Sequence, residues 1–495
     1  MKLGFDNEIY IQKQTDQIIK RLNQFSGKLY LEFGGKLFDD YHASRVLPGF
    51  DMNAKINILK KLSDRAEIIF SISASDIESN KIRADMGITY DLDVLRLMDD
   101  IRATGLLVSG VVITQYSGQT SADIFRKKLQ HRGEKVYTLK FIDGYPSNTG
   151  HVVSDEGFGK NDYIETTRPL VVITAPGPGS GKMAACLSQL YHEYKRGINA
   201  GYAKFETFPI WNLAINHPVN IAYEAATADL KDVNMIDSFH LEAYEEKAVN
   251  YNRDIEVFPV VKTILKKIGG CNADIYRSPT DMGVNMAGFC ITDDEVVSEA
   301  AKQEILRRYY KSLCDYKQGR VDIETSNKIE LLINKLNLDI KNDRPVVQRA
   351  ADKAAEKGVH VLAIQLPDGG FITGKSSDVL NCVSGAIINV IKKFAGIDDD
   401  IHLLSPKVLE PILQLKKSMN SKCLALNLEE TLIALSICAA TDNTVAKALE
   451  QLPLLKGCEA HASCMILDTD ETFCRKLGLN LTCEAEFASK DLYYF

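Results

Sequence analysis

Short apolar segments that alternate with amphipathic helices are the feature that most constrains the fold of this chain. Segments such as LVVIT and EIIFSI carry no polar face, which is typical of parallel strands covered on both sides. The predicted strands of this region are Lys28–Phe33, Glu67–Ile72, Leu107–Thr114, Lys135–Ile142 and Leu170–Thr174. Apolar residues recur at helical spacing in Gln14–Phe25, Ala54–Leu62, Leu92–Thr104, Ser121–Arg132 and Lys182–Lys195. This rhythm predicts an α/β fold with a doubly wound, mostly parallel sheet.

The 495 residues are too many for a single hydrophobic core. We predict three domains: an N-terminal α/β phosphate-binding domain over 1–236, a helical middle domain over 237–343, and a C-terminal α/β domain over 344–495. The predicted middle helices are Phe258–Ile268, Asp293–Tyr316 and Ser326–Leu336. The predicted C-terminal elements are helices Pro345–Lys357, Ser377–Ala395, Glu429–Ala440 and Thr444–Gln451, and strands Val359–Leu366, Phe371–Thr373 and Cys464–Leu467.

Charge and hydropathy exclude several classes of partner. The net charge is −7 and no basic run stands out, so binding to duplex nucleic acid is not expected. No segment reaches the 18 apolar residues or so that a membrane span needs, and Met1–Ile11 lacks the apolar core of a secretory signal. The 11 cysteines are scattered without a CxxC pair, which is typical of reduced thiols. We therefore predict a cytoplasmic location, and a homo-oligomer as is common for large bacterial proteins.

The segment TAPGPGSGKMAACL, Thr174–Leu187, joins a predicted strand to a predicted helix. Glycines allow close backbone approach, and a helix N-terminus offers free N–H groups and a favourable dipole. This P-loop-like turn predicts phosphate binding by Gly177, Gly179, Ser180, Gly181 and Lys182. It departs from the Walker A pattern, because Pro176 replaces the first glycine and Met183 replaces the hydroxyl residue that binds magnesium. The alternative is a tight strand–helix turn that needs glycine for steric reasons alone.

Two further glycine-bearing turns follow predicted strands, at Gly34-Gly35 and at Ser117-Gly118. Ligands of open α/β sheets bind outside the carboxyl ends of the strands. We therefore expect these turns to line the same crevice as the P-loop-like turn and to contribute to phosphate binding.

The segment FGGKLFDDYHASRVLPGF concentrates ionisable side chains within ten positions. Its candidate catalytic residues are Lys36, Asp39, Asp40, His42 and Arg45. Asp39 and Asp40 have the chemistry to hold a divalent cation, Mg²⁺ or Mn²⁺, and His42 to transfer protons. No organic cofactor is identified. The alternative is a polar surface loop in which Arg45 pairs with an aspartate.

A third group of polar residues runs from Lys204 to Asp254 and lacks helical or strand periodicity, and Tyr276–Asn285 is a similar polar turn. We predict that it contributes to a substrate pocket through Glu206, Asn212, His217, Glu224, Asp237, His240, Arg253 and Arg277. Asn220, Asp229, Asn252, Asp254 and Asp281 are further candidates. Taken singly, each of these residues is as expected for a helix cap or a turn.

The C-terminal segment LPDGGFITGKSSDVLNCVSGAI is weakly similar to the core of cytidine-deaminase-like folds. Those enzymes carry zinc ligands on the corresponding helix and in a later PCxxC motif. The helix here offers Ser384, Gly385 and Ala386, and no PCxxC occurs. If the fold is shared, the zinc chemistry is absent.

Five segments together resemble the bacterial family called domain of unknown function 1846. They are KLYLEFGGKLFDDYHASRVLPGF, DMGITYDLDVLRLMDD, APGPGSGKMAACLSQLYHE, NHPVNIAYEAATADL and GCEAHASCMIL. The resemblance covers essentially the whole chain. It implies an α/β domain, a helical insert and a C-terminal α/β domain in a bacterial cytosolic protein, and it leaves the activity to be argued from the residues.

These observations favour an enzyme that binds a small phosphorylated ligand, in particular a nucleotide, and acts on a phosphate ester or anhydride with the help of a metal ion. The sequence does not separate a phosphodiesterase or phosphohydrolase from a phosphotransferase. The alternative is a nucleotide- or metabolite-binding regulatory protein without catalysis, which the incomplete Walker A pattern favours.

Overall fold

The computed structural model describes residues 2–25, 27–83, 87–269 and 273–491. The chain forms two compact units, Met1–Ala301 and Lys302–Phe495. The segment 237–343, predicted as a helical middle domain, is divided between them.

The first unit is built on a seven-stranded sheet in which every neighbouring pair of strands is parallel. This confirms the predicted α/β class and the mostly parallel sheet. The strands of the unit are β1 Lys28–Phe33, β2 Ala66–Ser73, β3 Ile82–Arg83, β4 Ile88–Thr89, β5 Leu107–Tyr116, β6 Val136–Lys140, β7 Leu170–Thr174, β8 Ala200–Phe205, β9 Asn234–Ile236, β10 Val249–Tyr251 and β11 Gly283–Val284. The sheet order is β11-β8-β1-β7-β2-β5-β6, while β3–β4 and β9–β10 are separate antiparallel pairs.

Helices cover this sheet, as the alternating pattern predicts. They are α1 Asn7–Asn23, α2 Tyr41–Val46, α3 Ala54–Lys61, α4 Ala74–Glu78, α5 Tyr90–Ala103, α6 Thr120–His131, α7 Thr149–Val152, α8 Lys182–Lys195, α9 Pro218–Ala226, α10 Ser238–Tyr244, α11 Asn252–Ile268 and α12 Pro279–Met282. The boundary between the units falls within α13, Asp294–Lys317. Residues of the predicted middle domain join the first unit because β11 pairs with β8 in the main sheet.

The position of β7 determines where a ligand can bind. Every residue of β2 and β7 is buried, so these strands form the centre of the core. From β7 the chain proceeds to β8 on one side of the sheet, whereas from β2 it proceeds to β5 on the other side. The β7–β2 boundary is therefore a topological switch point, and the crevice at its carboxyl edge is the usual ligand site of such a sheet.

The second unit contains a four-stranded sheet in the order β13-β12-β14-β15, of which only β14 and β15 pair in parallel. Its strands are β12 Val361–Gln365, β13 Phe371–Lys375, β14 Glu459–Ala462 and β15 Asn480–Cys483. Its helices after α13 are α14 Ile323–Lys335, α15 Pro345–Lys357, α16 Cys382–Ala395, α17 Pro406–Ser418, α18 Leu428–Ala439, α19 Asn443–Leu449 and α20 Asp468–Lys476.

One predicted strand of this unit is wrong. The apolar segment Cys464–Leu467 is not a strand, and the preceding Glu459–Ala462 pairs with β12 and β15 instead. The polar residues of β14 are tolerated in the sheet because Arg344 bonds Glu459 at 2.5 Å and Thr482 bonds His461 at 2.8 Å. Among the described residues, no helix is long and apolar enough to cross a membrane.

Candidate functional site

The turn between β7 and α8 has the backbone features of an anion site. Gly181 precedes α8 with a φ of +78°, and no side chain caps the helix, so its first N–H groups face outward without a side-chain acceptor. Gly179 has a φ of +76°, and a methyl group placed there would meet no atom within 4 Å. The left-handed backbone accounts for this glycine, and the open space beside it leaves room for a ligand to approach the backbone.

Two hydroxyl groups hold the turn on the sheet. Ser71 Oγ and Thr114 Oγ1 donate to the Ser180 carbonyl at 2.6 and 2.8 Å. Gly181 packs so closely on Thr114 that an added Cβ would lie 2.7 Å from the Thr114 hydroxyl oxygen. A Cβ added at Gly177 would lie 2.3 Å from the Tyr90 hydroxyl oxygen. The steric explanation thus accounts for two of the three glycines.

Lys182 places an ammonium group at this turn. Its side chain is partly buried, and within the described residues it has no hydrogen bond or ion pair. Burial lowers the pKa of Lys182, and the nearby Glu32 carboxylate opposes that shift. The Ser180 hydroxyl in the same turn is also buried and has no hydrogen-bond partner in the described chain. An unpaired cation and an unpaired hydroxyl next to uncapped N–H groups favour a bound anion.

A cluster of charged side chains lies on the strands beside the turn. Lys204 Nζ on β8 contacts Glu206 Oε1 at 2.8 Å and Asp254 Oδ2 at 2.5 Å. Glu32 on β1 is opposite Lys204 in the strand register, and Tyr202 donates to it at 2.7 Å. Since α8 packs against both β1 and β8, this cluster adjoins Lys182.

The pKa values in this cluster diverge. Burial would lower the pKa of Lys204, but the carboxylates of Asp254 and Glu206 raise it well above its ordinary value. Burial raises the pKa of Glu206, and this outweighs the opposing effect of Lys204. Glu206 is therefore the carboxyl group of the cluster best suited to carry a proton.

The loop predicted to be catalytic contains a helix cap and a buried ion pair, both made by Asp40. Asp40 caps α2 by accepting from Ala43 N at 3.1 Å and pairs with Lys55 at 2.8 Å. Burial acts to raise the pKa of Asp40, yet the Lys55 ammonium holds it below its ordinary value. Asp40 thus has a structural role in this loop, and its service as a metal ligand stays a prediction.

The other predicted catalytic residues of this loop differ in their exposure. Lys36 and Asp39 are exposed, and Arg45 is partly buried on α2. His42 packs against Phe208 and Tyr223 with ring centroids 5.4 and 5.3 Å away. Over the described ranges, no group of three or more His, Cys, Asp or Glu side chains is placed to hold a metal ion.

The remaining glycine turns differ in their distance from the P-loop-like turn. Gly34 and Gly35 follow β1, which neighbours β7 in the sheet. A Cβ added at Gly34 would lie 2.9 Å from the Phe205 carbonyl oxygen, and one added at Gly35 would lie 2.7 Å from Lys55 Nζ. Ser117 and Gly118 are exposed and follow β5, which β2 separates from β7. Thr114 of β5 contacts the turn, but no contact of Ser117 or Gly118 with it is seen.

Of the predicted pocket residues, Glu206 joins the charged cluster directly. Arg253 follows Asn252 in the first turn of α11 and bonds Asp232 at 2.7 Å. Glu224 accepts weakly from Asn234 N at 3.4 Å, and Asn212 is exposed.

Four other predicted pocket residues stabilise local structure. His217 caps α9 and contacts Asp294 at 2.9 Å. Asp237 caps α10 and accepts from Thr280 at 2.6 Å. His240 contacts Ser278 Oγ at 3.1 Å. Arg277 donates to the Ala243 carbonyl at 2.7 Å, and its guanidinium lies over the Tyr244 ring.

Sequence reasoning missed Glu32, Tyr202 and the direct role of Lys204. The sequence did contain a signal for Glu32, because it is a carboxylate in the otherwise apolar strand LYLEF. A charged residue in a fully buried strand is unusual unless it is paired, so it marks a polar site inside the sheet.

Together, the parallel sheet and the glycine-rich turn at its switch point define an α/β protein with a candidate anion site at the carboxyl edge. The family model described as "Domain of unknown function DUF1846, N-terminal" matches residues 3–337, and its C-terminal counterpart matches residues 342–493. The chain belongs to this family.

Relatives that span the whole chain bear the name "UPF0371 protein". The relatives from Clostridium botulinum strain Langeland and from Clostridium tetani are each 56% identical over 503 residues, covering 100% of both sequences. A relative from Clostridium botulinum strain Eklund 17B is 55% identical over the same length. The resemblance drawn from the five segments is thereby confirmed.

Proposed function

We propose that this protein binds a small phosphate-bearing molecule at residues 177–182 and acts on a phosphate ester or anhydride. The observation that carries the proposal is the partly buried Lys182 ammonium, which has no partner among the described residues and lies at the uncapped start of α8. A buried cation without an ion pair is costly, the nearby Glu32 carboxylate offsets only part of that cost, and a bound phosphate would reduce it further.

The chain supplies the usual elements of phosphoryl chemistry. The N–H groups of Gly179 and Lys182 would hold phosphate oxygens, and the Lys182 ammonium would neutralise charge that develops on them. Glu206, Lys204 and Asp254 supply carboxylates and a second ammonium beside the turn. A nucleotide remains our preferred ligand, because the turn resembles the nucleotide-binding type.

No step in this proposal passes through a metal ion. The paired Asp40 would have to leave Lys55 to bind one. Mg²⁺ commonly takes one or two carboxylates together with the phosphates of the substrate, so Asp39 stays a predicted ligand for a metal that arrives with the substrate.

A binding protein without catalysis is the second candidate. Met183 stands where the magnesium-binding hydroxyl of a Walker A loop belongs, which favours ligand binding without nucleotide hydrolysis. Product analysis by chromatography after incubation with each stabilising ligand separates the two candidates, since only the enzyme yields a product.

The phosphate site is tested by thermal unfolding with pyrophosphate, ATP, GTP and sugar phosphates. A ligand at about 100 times its Kd stabilises by about 2.7 kcal/mol. We expect Lys182→Met to lose that stabilisation and to unfold at the same or a higher Tm without ligand, because it removes a desolvated charge.

The matched control is Lys127→Met, which removes an exposed lysine from α6. It should keep the full ligand-induced shift. Equal shifts in wild type and Lys182→Met would contradict the proposed site, and so would the absence of any shift in wild type.

A further inference from the structure

We propose that the carboxamide of Gln115 is a second binding group of the phosphate site and donates hydrogen bonds to an uncharged oxygen in the organic part of the ligand. This inference rests on the proposed function and specifies its ligand. That ligand is a phosphate ester whose organic part carries a hydroxyl or carbonyl oxygen, rather than a bare phosphate.

The backbone of Gln115 differs from that of a regular strand. Gln115 lies near the carboxyl end of β5 with a φ of +53°, in the left-handed region that is costly for a residue with a side chain. The register with β6 shifts at the same place, because β5 advances three residues from Ile113 to Tyr116 while β6 advances two. Such a bulge redirects a side chain, and bulges are frequent beside active sites.

The side chain of Gln115 reaches the end of β2, the strand next to β7. Its Oε1 accepts from Ser73 Oγ at 3.2 Å and from Ser75 Oγ at 3.5 Å. Ser73 ends β2, and Ser71, two residues earlier, donates to the Ser180 carbonyl of the P-loop-like turn at 2.6 Å. Alternate residues of a strand point to the same face of the sheet. The Ser73 hydroxyl and the carboxamide bonded to it therefore lie on the face that carries the turn.

The carboxamide lies close to the turn without contacting it. Two residues of a strand span about 7 Å, which is the separation of Ser73 from Ser71. Thr114, which precedes Gln115, also donates to the Ser180 carbonyl, at 2.8 Å. The carboxamide is thus at the β7–β2 switch point, where open α/β sheets bind ligands. The organic part of an ester would reach it from a phosphate bound at the turn.

The carboxamide of Gln115 is fixed through its oxygen and keeps its N–H groups available. Among the described residues, no hydrogen bond engages Nε2, and the residue is exposed. The turn after β5 is closed by another side chain, because Gln119 donates to the Gln115 carbonyl at 3.2 Å and accepts from Ser117 N at 2.9 Å. Lys182 and the N–H groups of α8 would meet the charged phosphate, so the two donors of Gln115 are left for an uncharged acceptor.

Calorimetric titration of the full-length protein with pyrophosphate, ribose 5-phosphate and GTP tests the inference. Pyrophosphate has no organic part, whereas ribose 5-phosphate carries hydroxyl oxygens and GTP adds a base carbonyl. We expect Gln115→Gly to bind one or both esters about fivefold to tenfold more weakly than wild type, as for the loss of a hydrogen bond. Its affinity for pyrophosphate should be unchanged. A loss with both esters assigns the contact to the sugar, and a loss with GTP alone assigns it to the base.

Gln115→Glu separates ligand binding from support of the loop. A carboxylate still accepts from Ser73 and Ser75 but has no N–H groups, so a purely structural role would survive this change. We expect the ester affinity to fall at least as far as in Gln115→Gly. Pyrophosphate measures the repulsion between the added charge and a phosphate, and the loss for the esters should exceed it. Retention of the ester affinity would overturn the inference in favour of a structural role.

The matched control is Asn337→Gly, which changes an exposed residue with the same φ of +53°. Glycine suits the left-handed backbone at both positions, so both glycine variants should fold, as circular dichroism and the Tm without ligand verify. Asn337→Gly should bind all three probes as wild type does.

The remaining outcomes separate the inference from the proposed function. Unchanged ester affinity in Gln115→Gly would overturn the inference and leave the phosphate site standing. So would an equal loss for pyrophosphate and the esters, or binding of pyrophosphate alone by wild type. Failure of wild type to bind any of the three probes would overturn the proposed function together with the inference.

Discussion

At the scale of single residues, Lys182 and Gly179 are the positions that test whether the turn between β7 and α8 binds a ligand. Gly177 and Gly181 are required by their contacts with Tyr90 and Thr114, so their presence is explained without a ligand. Gly179 faces open space and Lys182 lacks a partner in the described chain. The open space at Gly179 leaves room for a ligand beside the backbone, and a buried cation without an ion pair is typical of functional sites.

Gly179→Ala tests this distinction. A residue with a side chain in the left-handed region costs roughly 1–2 kcal/mol, and no neighbouring atom adds a clash. We expect a modest drop in Tm and a loss of phosphate-induced stabilisation, since the added methyl group occupies the space of the ligand. Thermal unfolding with and without pyrophosphate measures both effects.

Gly133→Ala is the matched control. Gly133 follows α6 with a φ of +81° and has equally open surroundings, so its backbone cost should be similar. It should retain the ligand response. An equal ligand response in both variants would show that Gly179 has no role in binding.

At the scale of elements, short polar contacts fix the loops at the carboxyl edge. The Ser180 carbonyl accepts from hydroxyls on β2 and β5, which holds the turn between β7 and α8 in one conformation. The loop after β1 is fixed in a similar way, because Asp40 both caps α2 and pairs with Lys55 of α3. The loop is thereby ordered by a residue that sequence reasoning assigned to catalysis.

The role of Asp40 has a pH signature. Its pKa is held below the ordinary value of 3.8, so the ion pair stabilises the fold above that pH and its contribution is lost as the pH falls through the lowered pKa. We expect Asp40→Asn to lower the free energy of unfolding by about 3 kcal/mol at pH 7, since it leaves Lys55 buried without a counterion. This difference should shrink below about pH 4. Urea unfolding over a pH series measures it.

Asp64→Asn serves as the control, because Asp64 is 74% exposed and its contact with Arg65 is 3.6 Å. It should change stability little at any pH. A difference between wild type and Asp40→Asn that stays constant down to pH 3 would contradict the ion-pair explanation.

At the scale of the whole molecule, the two compact units and the two family models place the boundary differently. Contacts place it after Ala301, whereas the family models meet between residues 337 and 342. The difference arises because Arg307 of α13 pairs with Glu459 of β14 at 2.8 Å. Helices assigned to the N-terminal family model thus pack within the second unit.

Fragments that begin at 294 and at 342 test which boundary describes the folding unit. The longer fragment keeps the buried Arg307, whereas in the shorter one Glu459 keeps only Arg344 as an ion-pair partner among the described residues. We expect the longer fragment to unfold cooperatively and at a higher Tm than the shorter one. Thermal unfolding monitored by circular dichroism measures both Tm values. Equal Tm values for the two fragments would favour the boundary near 340.

Arg308→Ala in the longer fragment is the control, because Arg308 contacts Glu304 and is one-third exposed.

The sequence by itself determined several of the elements and the position of the glycine-rich turn. Strands β1 and β7 and helices α8 and α15 have the predicted bounds, because continuous apolar runs, glycines and helix N-termini are local signals. The departure from the Walker A pattern at Pro176 and Met183 was equally visible in the chain.

Only the tertiary structure decided which charges meet. Glu32, Lys182 and Lys204 are far apart in sequence, and they come together because β1 lies between β7 and β8 in the sheet. Tertiary packing also forms the ion pair between Asp40 and Lys55. Local sequence patterns specify backbone conformation, whereas the pairing of distant charges depends on strand order and burial, which non-local contacts determine.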